Sequence, residues 1–141
     1  MRIARGRSLL VLITLLLFGT ARAGAQGAAP SVPAAHTHIA PHGGTIAEVA
    51  EHHIEFKADS SGTIQVWLLD GKQHLMAAPM GAGITLIGPG ETQVKLALQI
   101  DASSHRLVAH FDPKKFASFQ AVVTMPIDGK PHNVRFRYPS H

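Results

Sequence analysis

Apolar and polar residues alternate along most of the chain from residue 45 onward, which is the pattern of half-buried β-strands. In 63–69, Ile64, Val66 and Leu68 fall on one face, which is predicted to point inward. Trp67 falls on the opposite face, where it either covers the second face of a sandwich or belongs to an exposed contact surface. Eight segments are predicted to be strands: 45–50, 53–59, 63–69, 84–87, 92–100, 106–111, 119–127 and 132–138.

The segment 92–100 alternates cleanly over its whole length. We therefore expect it to form one uninterrupted strand whose inward face packs against the core. The side chains on that face are Val94, Leu96, Leu98 and Ile100.

Turn-forming residues separate these segments and set the fold class. Asp70-Gly71 and Asp128-Gly129 are the strongest signals for tight turns between antiparallel strands. No amphipathic helix of useful length is present, although 113–118 could form one helical turn. The pattern predicts an all-β fold, an antiparallel β-sandwich of about seven or eight short strands, immunoglobulin-like or cupredoxin-like. A small β-barrel is the alternative.

The N-terminal 23 residues have the three parts of a secretory signal peptide. A start that contains three arginines is followed by an apolar run from Leu9 to Phe18 and by Ala21-Arg22-Ala23, whose small residues suit cleavage. The apolar run is too short to span a bilayer comfortably, so we expect cleavage and no stable membrane insertion afterwards. The predicted location is periplasmic or secreted.

The remaining chain divides into a linker and one domain. Residues 24–40 are rich in Ala, Gly, Pro and Ser and show no periodicity, which is typical of a flexible linker. Residues 41–141 are predicted to form a single β-sandwich domain. The sequence has no cysteine, so a hydrophobic core or a bound metal must stabilise this domain, although an exported protein could form disulfides.

Cleavage also changes the charge of the protein. The full chain has 13 Lys and Arg against 9 Asp and Glu, but four of the arginines lie in the predicted signal peptide. The mature chain is therefore formally neutral when its histidines are uncharged. The basic character of the precursor is no reason to expect nucleic acid or an anionic membrane as a partner.

The histidines carry the most specific chemistry in the sequence, which contains 10 of them. His42 follows Pro41 and precedes two glycines on a predicted turn. His53 and Glu55 lie two apart on the predicted strand 53–59, so both side chains leave the same face. A hairpin over 45–59 would bring His42 near that face. Two imidazoles and a carboxylate form a plausible three-ligand site for a divalent metal ion. The alternative is an exposed strand face with ordinary polar side chains, which also accounts for Lys57 on the same face.

Two further sets of residues are weaker candidates for metal ligands. His36 and His38 lie in the predicted linker and could supply ligands from outside the fold, or could simply be solvated. His74, Met76 and Met80 lie in one loop, and imidazole with thioether suits copper(I). Alternatively, one of the methionines fills the end of the sandwich.

The segments Ala40-Pro41-His42-Gly43-Gly44 and His53-Ile54-Glu55-Phe56 resemble small periplasmic proteins of heavy-metal efflux systems. They also resemble the accessory metal-binding domain of metal-pump adaptor subunits. The resemblance extends over most of residues 40–138. It implies a periplasmic β domain that handles copper, zinc or a related ion, with His42, His53 and Glu55 at the matching polar positions. It also implies a metal-efflux pump or its adaptor subunit as the partner.

The sequence therefore predicts a metal-binding protein that buffers or delivers a transition-metal ion, copper or zinc, in support of metal efflux or resistance. No catalytic residues are predicted, because the chain lacks a nucleophile motif, a phosphate-binding loop and a helical His-Glu-x-x-His pair. The alternative hypothesis is an envelope interaction module without metal, in which a sheet edge or the Trp67 face contacts a partner.

Overall fold

The computed structural model describes residues 38–139. The predicted signal peptide, most of the predicted linker and His36 lie outside the described residues. The described part contains these strands: β1 (Thr45–Val49), β2 (His52–Ala58), β3 (Thr63–Leu69), β4 (Gly83–Ile87), β5 (Gln93–Ala97), β6 (Gln99–Asp101), β7 (Arg106–His110), β8 (Phe119–Ile127) and β9 (Lys130–Tyr138). One 3-10 turn, Pro89–Glu91, joins β4 to β5. Among these residues, no helix has the length and apolar character needed to cross a bilayer.

The strands form two antiparallel sheets that pack face to face. One sheet has five strands in the order β1-β2-β3-β7-β6, and the other has four in the order β5-β4-β8-β9. Across residues 38–139 the two sheets stay separate and do not close into a barrel. The predicted antiparallel β-sandwich is confirmed, and the barrel alternative is not.

The core fills the space between the two sheets. Ile64, Val66 and Leu68 of β3 point into it as predicted, and their alternation with outward residues follows from the period of two along a strand. Phe56 of β2 and Phe136 of β9 stack across the sandwich with ring centroids 4.9 Å apart. A domain of this size can therefore be held by one apolar core without disulfides.

The predicted tight turn at Asp128-Gly129 joins the neighbouring strands β8 and β9. Asp70-Gly71 also turns the chain, but it does not join neighbouring strands, because it leads from β3 into the loop before β4, which belongs to the other sheet. Asp128 and Gly129 both have positive φ angles, 50° and 74°, which is the geometry of a two-residue type I′ hairpin. They pair Ile127 with Lys130 and set the register of the β8–β9 hairpin. The predicted helical turn is present as a single turn, in which the amide of Phe116 donates to the carbonyl of Asp112 at 3.0 Å.

The prediction of one strand over 92–100 is wrong. The segment divides at Leu98 into β5, which pairs with β4, and β6, which pairs with β7 in the other sheet. Leu98 is buried at this crossing, where its amide donates to the carbonyl of Ala82. Because the chain changes sheets there, the alternation no longer marks one inward face. Ile100 is 44% exposed as a result.

Candidate metal site

The β1–β2 hairpin lies at one edge of the five-stranded sheet and positions the polar groups of interest. Its two strands pair in the register that sets Glu48 opposite His53 and Ile46 opposite Glu55. Pairing of β2 with β3 then sets Glu55 opposite Trp67. Since side chains two apart on a strand leave the same face, His53 and Glu55 both lie on the face turned away from the core.

The first group of polar side chains on this face combines two imidazoles with a carboxylate. His38, Glu48 and His53 each offer one ligand atom, and these atoms all lie within 4.8 Å of one another. His38 Nε2 lies 2.6 Å from Glu48 Oε1, and His53 Nε2 lies 4.0 Å from the same oxygen. In a tetrahedral zinc site, bonds of about 2.1 Å hold ligand atoms about 3.4 Å apart. Small side-chain rotations would therefore bring these three groups to metal-binding distances.

His53 is the most firmly fixed member of this group. Its ring is 5% exposed, and its Nδ1 donates to the main-chain carbonyl of Asp70 at 2.9 Å. A carbonyl oxygen can only accept, so Nδ1 carries the proton and the neutral ring has its lone pair on Nε2. Nε2 is the nitrogen that faces Glu48. A carbonyl partner on the far nitrogen is the usual support of a metal-binding histidine.

The turn that supplies this carbonyl is held by the side chain of Asp70. Its carboxylate accepts from the amides of Lys72 and His74, each at 2.8 Å. These bonds, led by the one from the His74 amide, lower the pKa of Asp70 below its ordinary value. The carboxylate therefore stays ionised at neutral pH and continues to hold the turn that supplies the carbonyl to His53.

A surface pocket of about 260 Å³ opens at the same group. His38, Glu48 and His53 line it together with Glu51 and His52. His52 follows the strand alternation and leaves the opposite face of β2 from His53. Its ring therefore does not belong to the group.

The second polar group joins two of the residues singled out from the sequence, His42 and Glu55. Glu55 has no exposed surface, and its two oxygens accept three hydrogen bonds. Oε1 accepts from the amides of His42 and Gly44, both at 2.9 Å, and Oε2 accepts from His42 Nδ1 at 2.8 Å. The buried carboxylate is thus satisfied by the turn that precedes β1, as a buried charge requires.

Trp67 and Lys57 complete this second group. The imidazole of His42 stacks on the indole of Trp67, with centroids 4.2 Å apart and planes only 2° apart. Trp67 is 5% exposed on the outer face of its sheet. Of the two predictions for Trp67, burial on the second face is therefore the one observed. Lys57 donates to the main-chain carbonyl of His42 at 3.0 Å, so its position on this face serves the turn.

The structure divides the three ligands predicted from the sequence between these two groups. His42 and Glu55 are directly hydrogen-bonded to each other, whereas His53 lies with His38 and Glu48. His38, which the sequence places in the flexible linker, contacts the edge of the sheet.

The three predicted ligands in the loop after β3 have different surroundings. His74 is exposed and its Nδ1 pairs with Asp70 Oδ2 at 3.0 Å. Met76 packs against the hydrophobic core, as the alternative of a methionine at the end of the sandwich predicts, and Met80 is 81% exposed.

Sequence reasoning missed Glu48. Its place opposite His53 depends on a two-residue turn at Ala50 and Glu51, since Val49 pairs with His52. Neither turn residue is Gly, Asn or Asp, and Ala50 takes a φ of 52° that alanine seldom adopts. The alternation along β1 and β2 was visible in the sequence, but the register that relates the two strands was not.

A scan against protein-family models found no family that matches the chain, and searches of curated proteins and of solved structures also found no match. The fold and the site together define an antiparallel β-sandwich with a histidine–carboxylate group at the edge of its five-stranded sheet.

Proposed function

We propose that this chain is a periplasmic metal-binding protein that buffers or delivers a transition-metal ion, copper or zinc, in support of metal efflux or resistance. A metal-efflux pump or its adaptor subunit is the proposed partner, and no catalytic role is proposed. The observation that carries the proposal is the group of His38, Glu48 and His53, whose ligand atoms lie within 4.8 Å of one another.

The chemistry of this group suits the proposed ion. Imidazole nitrogen and carboxylate oxygen are ligands that zinc and copper(II) share. His53 supports the proposal most strongly, because its tautomer leaves Nε2 available on the side of Glu48. Three protein ligands beside an open pocket leave room for water or for a ligand from a partner, which suits a protein that passes its ion on.

The alternative of an interaction module without metal has less support at the Trp67 face. A partner could contact this face through Trp67 only if the indole were accessible. Trp67 is 5% exposed and lies under His42.

The test is metal binding by the purified protein without a histidine tag, since a tag would itself bind metal. Native mass spectrometry and calorimetry with Zn²⁺ and Cu²⁺ offered separately should reveal one bound ion at neutral pH. Glu48→Gln and His53→Gln should each weaken binding at least about tenfold, because each removes a ligand from a three-ligand set. A bound ion should also raise the melting temperature, since it binds only the folded state.

Matched controls make the same chemical changes on exposed residues outside the group. Glu91→Gln and His110→Gln should leave the affinity of the wild type unchanged. No specific adduct with the wild type, or an equal loss in the control variants, would refute metal binding at this group and favour the interaction module.

A further inference from the structure

Residues 38–44, here called the strap, connect the two polar groups described above. His38 at its start lies in the first group, and His42 and Gly44 near its end bond to Glu55 in the second. We infer that Glu55 and His42 are positioning residues for the proposed metal site: they hold the strap on the sheet so that His38 meets Glu48 and His53. This inference rests on the proposed function.

The contacts of Glu55 favour a positioning role over direct metal binding. Both of its oxygens are already used by donors from the strap, at 2.8 to 2.9 Å, and the side chain has no exposed surface. A metal ion at Oε1 would compete with two backbone amides, and a metal ion at Oε2 would compete with His42 Nδ1. Buried donors that lose their partners destabilise the fold, so metal ligation by Glu55 would oppose docking of the strap.

The strap is fitted closely to the sheet at Gly44. A Cβ added to Gly44 would lie 2.4 Å from the carbonyl oxygen of Phe56, closer than atoms approach in practice. The stack of His42 on Trp67 and the bond from Lys57 to the His42 carbonyl add two more contacts. The end of the strap is therefore held by hydrogen bonds, ring stacking and close backbone approach at once.

The two groups are close enough for the contacts at Glu55 to limit the position of His38. His53 and Glu55 are two residues apart on β2, a distance of about 7 Å along a strand. His38 and His42 are four positions apart in the chain, and an extended chain covers at most about 14 Å over that length. A strap docked on Glu55 thus confines His38 to the neighbourhood of His53.

Docking and metal binding should therefore be thermodynamically coupled. If only the docked strap presents His38, the apparent dissociation constant equals the intrinsic constant divided by the docked fraction. Metal must in turn raise the docked fraction, because coupling between two equilibria is reciprocal.

Hydrogen exchange and cobalt spectroscopy test this coupling in the intact protein. The amides of His42 and Gly44, which donate to Glu55, report docking directly. Added Zn²⁺ should slow their exchange several-fold and leave unchanged those amides of the β8–β9 hairpin that exchange by local opening rather than by global unfolding. A merely structural role of Glu55 would not produce this local, metal-dependent protection.

Three variants separate positioning from ligation. Glu55→Gln, His42→Ala and Gly44→Ala should each weaken Zn²⁺ binding about tenfold. At saturating Co²⁺ each should give the visible absorption spectrum of the wild type, because the ligands themselves are unchanged. His42→Ala keeps both backbone bonds to Glu55, so it remains informative if Glu55→Gln raises exchange throughout the domain. Gly83→Ala is the control, since its added Cβ meets only the carbonyl of Leu96, at 3.7 Å.

The outcomes separate the two proposals. A wild type that binds no Zn²⁺ would refute the proposed function. Zn²⁺ binding that is equally tight in the wild type and the three variants would refute only the positioning role. A changed Co²⁺ spectrum in Glu55→Gln or His42→Ala would also refute it, because that residue would then be a ligand.

Discussion

Glu55 is a buried carboxylate that a short turn of the chain stabilises by hydrogen bonding. Two amides and one imidazole nitrogen point at its oxygens, and all three belong to His42 and Gly44. A charge removed from water is tolerated when hydrogen-bond donors face its oxygens, and here the donors come from a segment that folds onto the sheet. The same residue therefore contributes to the order of the strap and to the local fold.

Asp101 offers a test of electrostatics at the scale of a single residue. The hydroxyl of Ser103 and the guanidinium of Arg106 bond to its carboxylate and hold the pKa of Asp101 well below its usual range. A carboxyl whose pKa is lower in the folded state stabilises the protein above its unfolded value of about 3.9, and this stability is lost as the pH falls further.

We therefore expect Asp101→Asn to be less stable than the wild type at pH 7. The difference should shrink steadily below about pH 4, as the wild-type carboxyl becomes protonated. Urea denaturation of both proteins between pH 7 and pH 2 measures this. A difference that stays constant with pH would mean that charge on Asp101 does not contribute.

At the scale of elements, turns determine which side chains meet. The β8–β9 turn is encoded by Asp128-Gly129, whereas the β1–β2 turn at Ala50 and Glu51 has no such residues. The second turn nevertheless fixes the register that puts Glu48 opposite His53, because the strands on either side pair throughout. Tertiary packing of the hairpin against the core supplies what the turn residues lack.

The β8–β9 turn gives a conformational prediction. Gly129 has a φ of 74°, and no atom lies within 4 Å of an added Cβ, so a substitution there tests backbone strain alone. Gly129→Ala should lower the free energy of unfolding by about 1 kcal/mol. Gly83→Ala, in strand β4 and without a positive φ, should change it by less than about 0.5 kcal/mol. Equal effects in urea denaturation would contradict this explanation.

The change of sheets at Leu98 gives a prediction about packing. Leu98 is 7% exposed and Ile100 is 44% exposed. Leu98→Ala should lower the free energy of unfolding by about 3 kcal/mol through lost burial and a new cavity. Ile100→Ala should cost less than about 1 kcal/mol. Similar losses at the two positions, measured by urea denaturation at a constant m-value, would favour a single strand over 92–100.

At the scale of the whole molecule, the sandwich leaves one face of the five-stranded sheet to be covered by chain outside the strands. Trp67 lies on that face, and His42 of the strap covers it. Leu69 on the same strand is fully buried and bridges to Leu75 in the loop after β3. The segments that cover the face are the same ones that supply His38 and the Asp70 carbonyl to the proposed metal site.

This arrangement predicts that metal stabilises the molecule through the strap. Zn²⁺ should raise the melting temperature of the wild type, and the increase should be smaller in Gly44→Ala, where the added Cβ disturbs docking. Differential scanning fluorimetry with and without Zn²⁺ measures both. An equal increase in the two proteins would show that docking of the strap does not limit binding.

The sequence by itself determined the all-β sandwich, most strand positions and the Asp128-Gly129 hairpin, because these depend on local alternation and turn chemistry. It also identified His42, His53 and Glu55 as polar residues of interest. Only the tertiary structure decided that Glu55 bonds to His42 while His53 meets His38 and Glu48. Those groupings depend on strand register and on the path of a segment without periodicity. The alternation of apolar and polar residues predicts neither the register nor that path, because both follow from contacts between parts of the chain that are distant in sequence.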